Sequence, residues 1–402
     1  MMRCVRGLTS GALVVASALV ATSVGEAHKP ITSPFTYNED VFPILRDRCS
    51  ACHVAGGVAP MSLTTQADAV PWGESMRAEL IAGHMPPWPV ETSRDRFRNA
   101  GGISARELNV LLTWATGGTP PGDPAKTPAA VTLAASWPLG KPDIEWLLDP
   151  VTIGADASER TVSFAVPTGT REARMIRAID LMPGTASIVR SAQISVKGDG
   201  AATRDANHRE RLVSLWQPGE RPVVGDAAGF ELPAGAILDV VVRYKKTWQY
   251  ERKEMRDQSR VGIYFAQSNA APINTLALTA NGIQGHESTT GQRRAPAVEN
   301  SLEAVSQDVQ VLAVYPDPKL SHVRVSLEVT RPDGSREDVI ALRAQPEWLR
   351  RYWFKEPIVV PKGSKFLLHV SPLEELGQNA APPKSGSIDY APAVMLNVIA
   401  AR

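Results

Sequence analysis

Cys49-Ser50-Ala51-Cys52-His53 constrains this chain more than any other segment. Cys-x-x-Cys-His is the spacing of covalent heme attachment. Two thiols one helical turn apart can each add to a vinyl group of a porphyrin, and the adjacent imidazole then lies under the ring and ligates iron. A thioredoxin-like redox pair is the alternative, but such pairs sit at a βα junction, and no such pattern surrounds residues 49–53. A zinc site would need two further ligands nearby. The 402 residues hold 3 cysteines, and the third, Cys4, precedes an apolar N-terminal run. Cys49 and Cys52 are therefore expected to carry one covalent heme c, with His53 as the proximal iron ligand.

Residues 1–27 read as a secretory signal peptide. Arg3 and Arg6 form a positive n-region, Leu13 to Val24 is apolar, and Gly25-Glu26-Ala27 is a small-residue cleavage site. A membrane anchor is the rival reading, but the run is short for a span and Thr22 and Ser23 interrupt it. No later segment is apolar enough to span a bilayer, so a periplasmic or otherwise exported protein is expected. Cleavage there would leave His28 as the first residue, whose free amine and imidazole could chelate copper. Two cysteines form no disulfide framework for an exported chain, which leaves them to the heme. The formal charge of +1, from 43 basic and 42 acidic residues, argues against a nucleic-acid binder.

The flanks of the motif read as helical. Thr36-x-x-Glu39 is a capping-box pattern leading into Val41, Ile44 and Leu45, with Pro43 tolerable in a first helical turn. Ser104-x-x-Glu107 repeats the pattern, Leu108, Leu111, Leu112 and Ala115 give helical spacing, and Gly117-Gly118 stops the helix. Two such helices around Cys-x-x-Cys-His resemble the terminal helix pair of class I cytochromes c. Candidates for the sixth iron ligand are Met85, His84, Met61 and Met76. Met85 ranks first because Pro86 and Pro87 follow it, and prolines stiffen a loop that must hold a thioether on iron.

Gly117 to Pro128 is rich in Gly and Pro and reads as a linker, and beyond residue 150 the helical period disappears. Short β-branched runs recur at Thr161–Val166, Ile188–Val196, Ile237–Tyr244, Arg260–Ala266, Val309–Tyr315, Val323–Thr330, Lys365–Ser371 and Ala393–Ile399. The expected class is multidomain α + all-β: a small helical class I cytochrome c domain followed by two antiparallel β-sandwich (jelly-roll-like) domains. The expected boundaries are 28–120 for the cytochrome, 121–150 for a connector, 151–285 and 304–402 for the sandwiches, and 286–303 between them.

The run Tyr37–Val41, Cys49–His53, Ala59-Pro60-Met61-Ser62-Leu63 and Met85-Pro86-Pro87-Trp88 resembles a bacterial cytochrome c domain fused to copper type II ascorbate-dependent monooxygenase-like modules. Arg177–Gly184, Leu232-Pro233-Ala234-Gly235 and Pro361-Lys362-Gly363 look like landmarks of two domains similar to the core of peptidylglycine alpha-hydroxylating monooxygenase. The resemblance implies two copper sites, yet the matching positions lack imidazoles. Val189-Arg190-Ser191 stands where a His pair is expected, Arg243 precedes Tyr244 where a His is expected, and Asp317-Pro318-Lys319 follows Tyr315-Pro316 where a His-x-His is expected. Met395 could stand for a methionine ligand. After the linker only His208, His286, His322 and His369 remain, none close to another in sequence. Copper is therefore not expected. Arg190, Arg243 and Lys319 read either as solvated charges or as groups converging on an anion or partner surface.

Lys245, Lys246, Arg252, Lys253 and Arg256, with Trp248 and Tyr250 between them, read as an exposed hairpin or as a docking face for an acidic redox partner. Trp348–Trp353 reads as cover for a sheet edge. The leading expectation is an exported monoheme c-type cytochrome that passes single electrons to a redox protein partner, its β region serving docking or assembly. The alternative is a copper- and heme-dependent monooxygenase. A heme-based sensor, with an open or labile sixth position, is a third reading.

Overall fold

The computed structural model describes residues 32–87, 90–91, 94–99, 101–197, 211–220, 222, 227–267, 269–279, 298–301, 305–318, 320, 323–372 and 393–401. The signal peptide expected over 1–27 lies outside these residues, as do His28, Trp88, His208, His286, Lys319 and His322.

The chain enters through a π-turn, Tyr37–Val41, that runs into α1 (Phe42–Arg48). The capping box expected from Thr36 and Glu39 does not form, because the Thr36 N–H donates to Asp40 Oδ2 at 2.8 Å. Pro43 sits at the start of α1, where a missing N–H breaks no helical bond. Two short helices follow, α2 (Gln66–Ala69) and α3 (Gly73–Ile81). The next, α4 (Ala105–Thr116), begins with both halves of the Ser104/Glu107 capping box in place and ends at Gly117. Val110, Leu111 and Trp114 of α4 pack with Tyr37, Phe42 and Leu45 in one core. The Tyr37 hydroxyl donates to the Leu63 carbonyl at 2.8 Å and Trp114 Nε1 to the Pro120 carbonyl at 3.0 Å, so both buried aromatics keep a polar partner.

Between α3 and α4 the chain leaves that core. Val90 and Phe97 are buried in a different one, with strands near the C-terminus, and bridge to Leu342 and Phe354. The Glu91 N–H donates to the Ala341 carbonyl and the Arg98 N–H to the Trp353 carbonyl, both at 2.8 Å.

The rest is strand. A first group comprises β1 (Ile144–Leu147), β2 (Val151–Ile153), β3 (Glu159–Pro167), β4 (Arg174–Met182), β5 (Val189–Lys197), β6 (Arg211–Trp216), β7 (Ala228–Leu232), β8 (Ile237–Lys245), β9 (Met255–Asp257), β10 (Arg260–Phe265) and β11 (Ala271–Pro272). They form sheets of order β1-β10-β4-β7-β11 and β3-β8-β5-β6, with the β2-β9 pair beside them. One core, including Ile194, Leu238 and Val240 from one sheet and Ile179, Val261 and Ile263 from the other, joins the two sheets. A second group comprises β12 (Asn274–Thr279), β13 (Val298–Ser301), β14 (Val309–Pro316), β15 (Val323–Thr330), β16 (Arg336–Ala344), β17 (Tyr352–Val360), β18 (Lys365–Pro372) and β19 (Ala393–Ala400). Its sheets run β12-β19-β14-β17 and β13-β18-β15-β16. In β15 the alternation Val323, Val325, Leu327, Val329 is buried on one face, as a strand with one wet side requires.

These findings correct the expected fold class. The chain is mainly β, built of small sheets, and carries no small helical class I cytochrome c domain among the described residues. Among the described residues the helices are short, the longest being the 12 residues of α4. The helical segment also does not close on itself, since Val90 and Phe97 spend their apolar area in the C-terminal core.

Candidate functional site

α1 ends at Cys49, whose N–H donates to the Leu45 carbonyl at 2.9 Å. The Cys52 and His53 N–H groups then return to the Cys49 carbonyl at 3.1 and 2.9 Å. This compact turn brings both thiols and the imidazole to one cleft. The following loop folds back, with the Ala59 N–H on the Cys52 carbonyl at 3.1 Å and the Leu63 N–H on the His53 carbonyl at 3.0 Å. A Cβ at Gly57 would lie 2.4 Å from the Cys52 carbonyl oxygen, so this close approach requires glycine.

The cleft encloses about 1100 Å³ of atom-free space, part of it open to solvent. Leu63, Leu80, Leu111, Met76 and Trp72 give it a largely apolar wall. Cys49 and Cys52 are free thiols. Burial, reinforced by the neighbouring Cys52, pushes the Cys49 thiol up to about 12, and burial pushes Cys52 up to about 11. Burial lowers the His53 pKa, partly offset by its contact with Met61. His53 Nδ1 lies 3.3 Å from the Met61 carbonyl oxygen. With Nδ1–H donating there, Nε2 is left as the lone-pair nitrogen, the form in which histidine binds a metal.

Met85, Pro86 and Pro87 line the cleft, as do Met61 and Met76. Met85 is 38% exposed, at the cleft's open side. His84 does not line it, and its Nδ1 lies 3.1 Å from Glu79 Oε2. The structure thus brings Cys49, Cys52, His53 and Met85 to one cleft and leaves His84 outside it. Free thiols, an oriented imidazole, thioethers and apolar walls form a donor set that fits heme c.

The β region supplies part of the wall, through Arg190 and Trp348. Neither was legible as a cleft residue. Arg190 falls in a β-bulge, since Val189 pairs with Tyr244 and Ser191 with Arg243, leaving Arg190 without an opposite residue. Its Nε is buried with no hydrogen-bond acceptor, and burial lowers its pKa. Trp348 belongs to a single 3-10 turn, Pro346–Trp348, just before β17. Glu347 beside it accepts from Arg243 Nη2 at 2.8 Å and from Lys245 Nζ at 2.9 Å. These two cations hold the Glu347 carboxyl below its usual range against the opposing effect of burial. Where the β region meets the motif, a Cβ on Gly219 would lie 2.1 Å from the Ala51 side chain.

Of the other positions tied to copper, Met395 is buried beside Leu215 and Tyr315, and His369 is half-buried on β18. Among the described residues no three His, Cys, Asp or Glu side chains group to hold a metal ion. Lys246, in the basic-aromatic stretch, is buried and donates to the Gly154 and Lys253 carbonyls, both at 2.6 Å, while Trp248 is exposed. No helix of the described residues is long and apolar enough to cross a membrane.

A second cavity lies against β4, and no sequence pattern announces it, since Asp180 stands in the apolar run Ile179–Met182 and Glu220 in the polar turn after β6. It is lined by Asp180, Glu220, Trp216 and Arg351 among others. Burial raises both carboxyls, Asp180 up to about 7. Arg351 lies over the rings of Phe230 and Tyr315, 5.0 and 4.8 Å from their centroids, and donates to the Val213 and Leu212 carbonyls.

No protein-family model matches the chain, and no curated protein sequence matches it. Among solved structures, the chain is similar to a Paenibacillus xanthan lyase at 12% identity and a TM-score of 0.16, over 69% of this chain and 28% of that one. The tandem CBM22 domains of Paenibacillus barcinonensis Xyn10C match at 9% identity and a TM-score of 0.18, over 67% and 99%. The major capsid protein P2 of bacteriophage PM2 matches at 9% identity and a TM-score of 0.20, over 58% and 100%. The chain thus spans just over a quarter of the xanthan lyase, and likenesses at these scores carry no assignment.

Proposed function

We propose that this protein is an exported monoheme c-type cytochrome that passes single electrons to and from a redox protein partner. The observation that carries the reading is the His53 Nδ1 to Met61 carbonyl contact, which orients the imidazole in the cleft that both free thiols line. Cys49 and Cys52 would each add their S–H across one vinyl group, the sulfur bonding to one carbon and the hydrogen going to the other, with no oxidant required. His53 would hold the iron through Nε2, and Met85 would offer its thioether as a further ligand. Heme c supplies one-electron redox chemistry when bound. The chain's own contribution is to hold the imidazole in one tautomer, surround the group with apolar side chains and, through Pro86 and Pro87, restrict the Met85 loop.

The β region then serves docking or assembly, in keeping with its resemblance to copper-monooxygenase modules that have exchanged imidazoles for Arg190, Arg243 and Lys319. The test is expression with a cytochrome c assembly system. Heme that survives acid-acetone extraction in the wild type, and is extracted from a Cys49→Ser/Cys52→Ser variant, is the expected result. Extractable heme in both, or none in either, would overturn the reading.

A further inference from the structure

Arg190 is the unusual residue of the cleft. It comes from β5, far in sequence from the Cys-x-x-Cys-His turn, and stands in a wall that is otherwise largely apolar. The bulge explains how it gets there, since the inserted residue of a bulged strand is released from the regular alternation and can aim its side chain elsewhere. Its Nε–H is buried with no acceptor. Among the described residues no carboxylate lies within ion-pairing distance of it, and Glu347 is already held by Arg243 and Lys245. The other cations near the motif are paired, Arg48 with Glu107 at 3.1 Å and Arg350 with Glu220 at 3.6 Å.

We propose that Arg190 is a positioning residue for charge, through which the β region sets the redox potential of the heme site. The inference rests on the heme reading above. Oxidised iron carries one more positive charge than reduced iron, so a fixed, half-buried cation in the wall disfavours the oxidised form and raises the potential. Losing that cation lowers it.

The test is a redox titration of the holo-protein with variants at two positions. Arg190→Leu is expected to lower the midpoint enough to cut the reduced-to-oxidised ratio about tenfold at fixed ambient potential, about 59 mV. Its low-spin spectrum should be unchanged. Arg190→Lys, which keeps the charge, should recover most of that shift. Glu347→Gln, which removes a nearby negative charge, should move the midpoint upward. An unmoved midpoint in Arg190→Leu with heme still covalently attached overturns this inference and leaves the heme reading standing. So does a lowered midpoint that appears only with loss of the sixth ligand. If Arg190→Leu does not fold, Arg190→Gln, which keeps a polar side chain without the charge, takes its place, and an unmoved midpoint there is equally decisive against it. A wild type without covalent heme overturns both.

Discussion

Replacing Asp180 by Asn should stabilise the fold at pH 8 and change it little at pH 4. Asp180 is 3% exposed on β4, and its Oδ1 accepts from the Leu181 N–H at 2.8 Å. Burial raises its pKa from 3.8 to about 7, with the negative charge of Glu220 adding to the effect and the Leu181 and Trp216 donors opposing it. An acid whose pKa is higher in the folded state binds its proton more tightly there. Its protonated form is therefore fully accommodated below the unfolded value of 3.8, and stability falls as pH rises from there through about 7. At about 1.36 kcal/mol per pH unit, the gap of about three units is worth roughly 4 kcal/mol above pH 7. Asn carries no charge at any pH and escapes this cost. Urea unfolding of wild type and Asp180→Asn at pH 4, 5, 6, 7 and 8 measures it directly. The stability difference should grow in favour of Asn across this range and level off above pH 7. A difference independent of pH, or one growing as pH falls, would refute the reasoning.

Other outcomes follow from the site. Met85→Ala in the holo-protein should turn a low-spin spectrum high-spin, whereas His84→Ala, whose ring pairs with Glu79, should leave it unchanged. Gly57→Ala should lower the yield of covalently attached heme, because its Cβ would stand 2.4 Å from the Cys52 carbonyl oxygen and displace the motif; hemochrome per milligram of chain measures this. Leu111→Ala empties a fully buried position that lines the cleft, and should cost about 2–5 kcal/mol in denaturant unfolding. Ser104→Ala removes an N-cap whose hydroxyl accepts from the Glu107 N–H at 3.2 Å, and should cost about 1 kcal/mol by the same measurement.

The parts legible in the sequence are those governed by local rules. The Ser104/Glu107 capping box, the alternation of β15 and the Pro332-Asp333-Gly334 turn after it all depend on residues within a few positions of each other. In that turn Gly334 adopts φ 84° and its N–H donates to the Arg331 carbonyl at 2.9 Å. The Cys-x-x-Cys-His turn is similarly local. Strands with mixed or charged sequence were harder to read. β4 alternates poorly because Asp180 is buried on a face covered by other parts of the chain, β16 opens with Arg336, Glu337 and Asp338, and β17 contains Pro357.

What failed was long-range. A capping pattern at Thr36 did not reveal that Asp40, one residue further on, takes the contact. Helical spacing on either side of the motif suggested an independent helical domain, but Val90 and Phe97 are apolar side chains whose partners lie some 250 residues away. The places of Arg190 and Trp348 in the cleft wall are set by a bulge and a 3-10 turn that no periodicity announces.

The most direct measurement is the mass and metal content of protein matured with cytochrome c assembly factors, after copper exposure and desalting. The expected chain carries one heme, attached to the peptide spanning Cys49 and Cys52, with one iron and no retained copper. A chain whose Cys49 and Cys52 remain unmodified, or one that holds one or two coppers tightly, would contradict it.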